Sequence, residues 1–139
     1  MKTARLMVVE DDQDTLDLFT LWLSENYNVF SFRCADEALA ALETVKPDLL
    51  LLDIGMGPID GLACLRAVRS KPDYHRTPAI ALTGYARESE REAFQAAGFQ
   101  AVLTKPIFDD DLVVAIEAVL GPSNGQINVS TATDTADPA

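Results

Sequence analysis

The sequence predicts an α/β domain in which a strand–helix unit repeats around a parallel sheet, and three observations point to it. The run Leu49-Leu50-Leu51-Leu52 is wholly aliphatic, ends in Asp53 and meets the turn Ile54-Gly55-Met56-Gly57-Pro58. A second run, Leu6-Met7-Val8-Val9, ends in the same manner in Glu10-Asp11-Asp12. Continuous aliphatic runs bounded by turn signals belong to strands covered on both faces. Third, such runs alternate with helical patterns five times along the chain.

Strand one is expected over about Arg5 to Glu10. Helix one follows from about Asp14 to Asn26, with Leu16, Phe19 and Leu23 spaced for one buried face. Asp12 or Asp14 caps its start and suits the positive end of its dipole. Strand two covers Val29 to Phe32, and the next helix, about Ala35 to Val45, turns Leu39 and Leu42 inward before Lys46-Pro47 stops it. Strand three is Leu49 to Asp53. A third helix follows Asp60-Gly61, with Leu62, Leu65 and Val68 at helical spacing.

Strand four is Pro78 to Leu82, ending in Thr83-Gly84. The fourth helix, about Glu88 to Ala97, has a thin apolar face (Ala93, Phe94, Ala97) and is expected to be loosely packed and mobile; Gly98 closes it. Strand five is short, Ala101 to Leu103, before Thr104-Lys105-Pro106. The last helix, about Asp109 to Leu120, buries Leu112, Ile116 and Val119. Residues 1–120 thus form one domain. From Gly121 onward Ser, Thr, Asn, Asp, Gly, Pro and Ala dominate, with Ile127 and Val129 the only larger aliphatics, so residues 121–139 are expected to be a disordered tail.

The 139 residues suffice for one substantial core, and contents of 48% apolar and 24% charged residues are those of a soluble globular protein. No apolar run of about 18 residues occurs, which excludes a spanning helix. Met1-Lys2-Thr3-Ala4-Arg5 leads into a strand without an apolar signal segment, so a cytoplasmic location is expected. A net charge of −11 argues against a general nucleic-acid surface. The densest basic group, Arg66, Arg69 and Lys71, reads as a solvated helix end. Cys34 and Cys64 read as reduced, partly buried thiols, and His75 as a surface histidine.

Ligands of parallel sheets bind at the carboxyl ends of the strands, where strand order reverses. Strands one, three, four and five end in Glu10-Asp11, Asp53, Thr83 and Lys105. Close carboxylates repel unless a cation joins them, and hard oxygen ligands favour magnesium or calcium. The set supplies what phosphoryl transfer to a carboxylate requires. Asp53 is the candidate nucleophile, since a carboxylate can form an acyl phosphate. Glu10 and Asp11 hold Mg2+ beside it, Lys105 offers a point charge to a phosphoryl oxygen, and Thr83 offers a hydroxyl donor. Three carboxylates, one lysine and one divalent cation sum to about zero charge. Each feature alone has an ordinary reading as a helix cap, a solvated acidic pair or a turn. Their order along four strand ends makes the set specific.

On Val8-Val9-Glu10-Asp11-Asp12, Asp53 with Asp60-Gly61 downstream, Thr83-Gly84 and Leu103-Thr104-Lys105-Pro106, the chain resembles the receiver domain of two-component response regulators over about residues 4 to 120. The resemblance implies a flavodoxin-like (βα)5 three-layer sandwich with sheet order 2-1-3-4-5. It places the phosphoacceptor on Asp53 and the metal-binding acidic pair on Glu10 and Asp11. The Gly55 carbonyl would complete the protein's ligands, and the Lys105–Pro106 bond is expected to be cis.

Three positions depart from the common family pattern. Met56 precedes Gly57-Pro58 where many members carry Met-Pro directly. Val102 stands where many have an aromatic that swings inward as the threonine moves. Gly55 leaves the phosphoryl position open, so dephosphorylation is expected to depend on access past Gly55 and Tyr85, the latter reading equally as a loop tyrosine.

The implied function is a phosphorylation-dependent switch. A phosphohistidine on a histidine kinase or phosphotransfer protein donates to Asp53, the receiver catalysing its own modification. Thr83 and the fourth helix then shift a surface formed by helix four, strand five and helix five, which a downstream protein partner reads. Phe108-Asp109-Asp110-Asp111 makes that face acidic, and reads first as a solvated helix cap and second as a site for a basic partner. The chain is expected to be a monomer or weak dimer that binds neither nucleic acid nor membrane, standing alone or derived from a hybrid kinase. Two alternatives remain. A pseudo-receiver would bind partners without phosphorylation. A haloacid-dehalogenase-type phosphatase also uses an aspartate, magnesium, a threonine and a lysine, but needs a second acid where this chain has Gly55.

Overall fold

Alternate residues of a strand point to opposite faces of a sheet, and here that alternation divides the core in two. A computed structural model describes residues 4–55, 60–84 and 88–121, and the backbone alone at Glu88. The chain runs β1 (Arg5–Val9), α1 (Gln13–Leu23), β2 (Asn28–Phe32), α2 (Ala35–Val45), β3 (Leu49–Asp53) and α3 (Gly61–Arg69). A 3₁₀ turn (Pro72–Tyr74) leads to β4 (Ala79–Thr83), α4 (Glu88–Ala97), β5 (Ala101–Thr104) and α5 (Asp109–Leu120). All strands are parallel, in the order β2-β1-β3-β4-β5, so the sheet is the flavodoxin-like one expected.

Met7, Val9, Leu50, Leu52, Ala79 and Ala81 face one layer, against Ala38 and Leu42 of α2, Leu65 and Val68 of α3, and Phe94 of α4. Leu6, Val8, Leu49, Leu51, Ile80 and Leu82 face the other, against Leu16, Phe19 and Leu23 of α1 and Leu112 and Ile116 of α5. The aliphatic runs are continuous because both faces are covered. Strand order reverses between β1 and β3, whose register pairs Val9 with Leu52. The residues that follow these two strands therefore share one crevice.

The helix ends depart from the periodicity in explicable ways. α1 stops at Leu23 rather than near Asn26, since the Asn26 and Tyr27 N–H groups both turn back to Leu23 O (3.2 and 3.0 Å) and Tyr27 enters the core. At its start Asp12 is the cap, accepting from Thr15 N–H at 3.0 Å. Ala93 of α4 is exposed, contrary to the expectation; Phe94 is buried and meets Phe99 edge-on at 6.3 Å. Leu39, Leu62 and Val119 are half-buried.

Cys34, expected to be partly buried, is exposed at the start of α2, while Cys64 is buried deeply enough to push its thiol up to about 11; both are free. Arg69 is not part of a solvated helix end. Its guanidinium donates to the carbonyls of His75, Thr77 and Gly98, joining α3 to the chain before β4 and to the α4–β5 turn. Gly98 makes that turn at φ 114°, a conformation that favours glycine. Met56, Gly57, Pro58, Tyr85 and the expected tail beyond Gly121 lie outside the described residues.

Candidate functional site

Each candidate side chain reaches the crevice because a strand ends beneath it. Glu10 follows β1 and its N–H donates to Phe32 O of β2 at 3.0 Å, which holds the loop backbone against the sheet. The side chain is fully buried, and Asp12 N–H donates to its Oε2 at 3.1 Å. Asp11, next in the chain, is exposed, and Arg33 from the end of β2 donates to its carbonyl at 3.2 Å. Asp53 closes β3 and is buried; its Oδ1 accepts from Gly55 N–H at 3.1 Å. Thr83 closes β4 and is also buried, and its carbonyl accepts from Lys105 N–H at 2.7 Å. Lys105 follows β5, with a cis bond to Pro106.

Lys105 Nζ lies 3.0 Å from Glu10 Oε1 and 3.5 Å from Asp53 Oδ2, so one ammonium faces both buried carboxylates. The first contact is an ion pair without hydrogen-bond alignment, which leaves buried Glu10 Oε1 with no hydrogen-bond partner. Burial first, and then the neighbouring Asp53 carboxyl, raise the Glu10 carboxyl to about 7, against the opposing pull of Asp12 N–H and Lys105. Burial lowers the Lys105 ammonium, but its contacts with Glu10 and Asp53 outweigh that and the net shift is upward. Asp12 is held below the usual range by its hydrogen bonds from Thr15.

One carboxylate oxygen each from Glu10, Asp11 and Asp53 lie within 4.8 Å of one another. Hard oxygens converging this closely, one of them buried and without a hydrogen bond, fit a small divalent cation such as Mg2+.

Glu10, Asp11, Asp53, Thr83 and Lys105 thus meet at one edge of the sheet. Gly55 enters through its N–H. A Cβ there would lie 3.9 Å from Asp53 Oδ1, in ordinary contact, so glycine leaves that flank of the carboxylate open. Periodicity does not reveal Gly61. A Cβ there would fall 2.7 Å from Asp53 O, so only glycine lets α3 begin directly against the backbone of Asp53. The Asp60-Gly61 helix start is the one hint in the chain, and the close approach follows from the packing. Also unforeseen is a groove beside Lys105, lined by Thr15, Leu18, Phe19 and Trp22 of α1 and by Ile107 and Phe108, of which Leu18 and Phe108 are exposed.

A family model described as the response regulator receiver domain matches residues 6–117. The uncharacterised 14.6 kDa protein of the sodA1 3′ region of Leptolyngbya boryana is 39% identical over 113 residues, which are 81% of this chain and 86% of that protein. The structure of chemotaxis protein CheY4 of Vibrio cholerae is similar with a TM-score of 0.81 at 25% identity, covering 85% of this chain and 99% of that one. The receiver domain of the sensor histidine kinase PA1611 of Pseudomonas aeruginosa, solved with magnesium coordinated in its active-site cleft, gives a TM-score of 0.74 at 26% identity, covering 83% and 95% of the two chains.

Proposed function

The chain belongs to the response regulator receiver domain family, whose members serve as phosphoacceptors in signalling and bind Mg2+ in an acidic pocket, and from that membership we propose that Asp53 is the phosphoacceptor of a phosphorylation-dependent switch. The observation that carries the proposal is the buried pair Glu10 and Asp53 facing one ammonium, with one Glu10 oxygen lacking a hydrogen bond. Glu10, Asp11, Asp53 and the Gly55 carbonyl are the proposed metal ligands. A divalent cation held there would supply positive charge against the negative charge that develops during phosphoryl transfer.

The remaining roles fall to the chain itself. Asp53 is held for attack by Gly55 N–H on Oδ1 and Lys105 near Oδ2, both of which orient its carboxylate. As the Asp53 oxygen bonds to phosphorus, the phosphorus–nitrogen bond of a donor phosphohistidine breaks and the imidazole leaves. Lys105 pairs with one phosphoryl oxygen, and Thr83 donates its hydroxyl to another. The open flank at Gly55 admits the water that later hydrolyses the acyl phosphate.

The donor is a histidine kinase or phosphotransfer protein. Exposed Leu18 of α1 and Phe108 line the groove next to Lys105, an apolar rim suited to a docking protein. Output passes to a downstream protein through α4, β5 and α5. The net charge of −11 disfavours nucleic acid, and no helix among the described residues is long and apolar enough to cross a membrane. The cytoplasm, where such donors present phosphohistidine, is the proposed location.

Trp22 is half-buried in the same groove and offers a direct test. Beryllofluoride with Mg2+ is expected to change its fluorescence in the wild type and not in Asp53→Asn. An equal response in both proteins would refute the assignment of Asp53.

A further inference from the structure

We infer that Arg91 is a positioning residue whose guanidinium clasps α4 to the end of β5 and carries changes at the phosphoryl site into the position of α4. The inference rests on the proposed function for its ligand and goes further by naming the coupling residue.

Among the described residues, α4 buries little of its surface. Across residues 89–97 Phe94 is buried, Glu90, Arg91 and Ala97 are half-buried, and the others are exposed. A single apolar plug tolerates sliding, because hydrophobic contact is non-directional. The clasp has the opposite character. Arg91 Nη2 donates to Thr104 Oγ1 at 2.8 Å, and Nη1 donates to Val102 O at 3.3 Å. A planar guanidinium holds two acceptors only in one relative placement, and its hydrogen bonds weaken steeply as they bend or lengthen. β5 is an edge strand, so its outer side presents groups that no further strand pairs. Arg91 occupies part of that edge.

The far end of the clasp touches the site. Thr104 pairs in register with Thr83 and immediately precedes Lys105, whose N–H donates to Thr83 O at 2.7 Å. A displacement of Thr83 or Lys105 towards a phosphoryl group therefore moves the acceptor that Arg91 holds. Either α4 follows or the clasp breaks, which gives the helix two discrete arrangements to be biased by ligation. Val102 is β-branched and stiff at χ1, so its side chain offers little movement of its own. Its carbonyl is where Arg91 takes hold.

Hydrogen exchange of the whole chain tests the inference, with α5 amides as the control for global stability. Without ligand, α4 amides are expected to exchange about tenfold faster in Arg91→Ala and in Thr104→Val, the loss of a charge-assisted hydrogen bond. Thr104→Ser keeps the hydroxyl and is expected to match the wild type, and the Arg91→Ala/Thr104→Val pair to add little to either single change. With Mg2+ and beryllofluoride, the change in α4 exchange seen in the wild type is expected to vanish in Arg91→Ala, while acetyl phosphate still modifies the variant. Wild-type α4 exchange and response in Arg91→Ala, or the same loss in Thr104→Ser as in Thr104→Val, would overturn the inference. Failure of the wild type to take a phosphoryl group would instead count against the proposed function, and the unliganded comparison would still decide the clasp.

Discussion

The two helices that flank β5 are attached by different physics. α5 lays Leu112, Ala115 and Ile116 into the core, whereas α4 contributes buried Phe94 and then the polar clasp of Arg91. Apolar burial in a close-packed core resists displacement in proportion to the area it covers, while the hydrogen bonds of an arginine fork weaken steeply once bent or lengthened. The site therefore has one firm wall, through α1 and α5, and one that can be released. A switch needs both: fixed groups to hold the phosphoryl, and a neighbour with a second place to go.

The largest expected effect breaks the firm wall. Ile116 is fully buried, so Ile116→Ala is expected to cost about 2–5 kcal/mol in denaturant unfolding, with α4 and α5 lost together. Phe94→Ala removes more volume, yet is expected to show itself first as faster exchange in α4, ahead of global unfolding. Equal, fully cooperative loss in both variants would erase the distinction between the walls.

The next effect is one of pH, measured without metal. The Glu10 carboxyl stands raised from 4.5 to about 7 in the folded protein. Its contribution to stability is therefore fully present below about 4.5 and is lost as pH rises through about 7. Mg2+ selects the ionised form, so its affinity is expected to climb across the same window. Thermal unfolding of wild type and Glu10→Gln between those limits checks the sign, since the wild type is expected to lose stability relative to the variant as pH rises.

Arg69→Ala leaves three carbonyls without their donor and is expected to cost about 1–3 kcal/mol, sharpening the comparison by loosening the base of α4 at Gly98. Leu18→Ser is the smallest. Leu18 is 46% exposed, so stability is expected to change by no more than about 0.5 kcal/mol, while phosphoryl transfer from a protein donor slows and that from acetyl phosphate does not.

The strands were legible because burial on both faces leaves an unbroken aliphatic signature, as in β3. The candidate site was legible for a related reason. A strand end fixes where its next residue goes, so the sequence alone brings Glu10, Asp53, Thr83 and Lys105 together. What stayed hidden depends on contacts between segments distant in the chain. Arg69 looked like a solvated helix end because its three acceptors come from two other loops. Cys34 gave no local sign of exposure, and Ala93 looked apolar enough to be covered. Gly61 stands in a helix-start motif, but its closeness to Asp53 O emerges only when α3 is packed.

The most direct test of the central claim is the intact mass of the protein after acetyl phosphate, with and without Mg2+, in wild type and Asp53→Asn. One phosphoryl group is expected on the wild type with Mg2+, and none after chelation or in Asp53→Asn. A modification that survives in Asp53→Asn, or a folded wild type that takes none, would contradict the account.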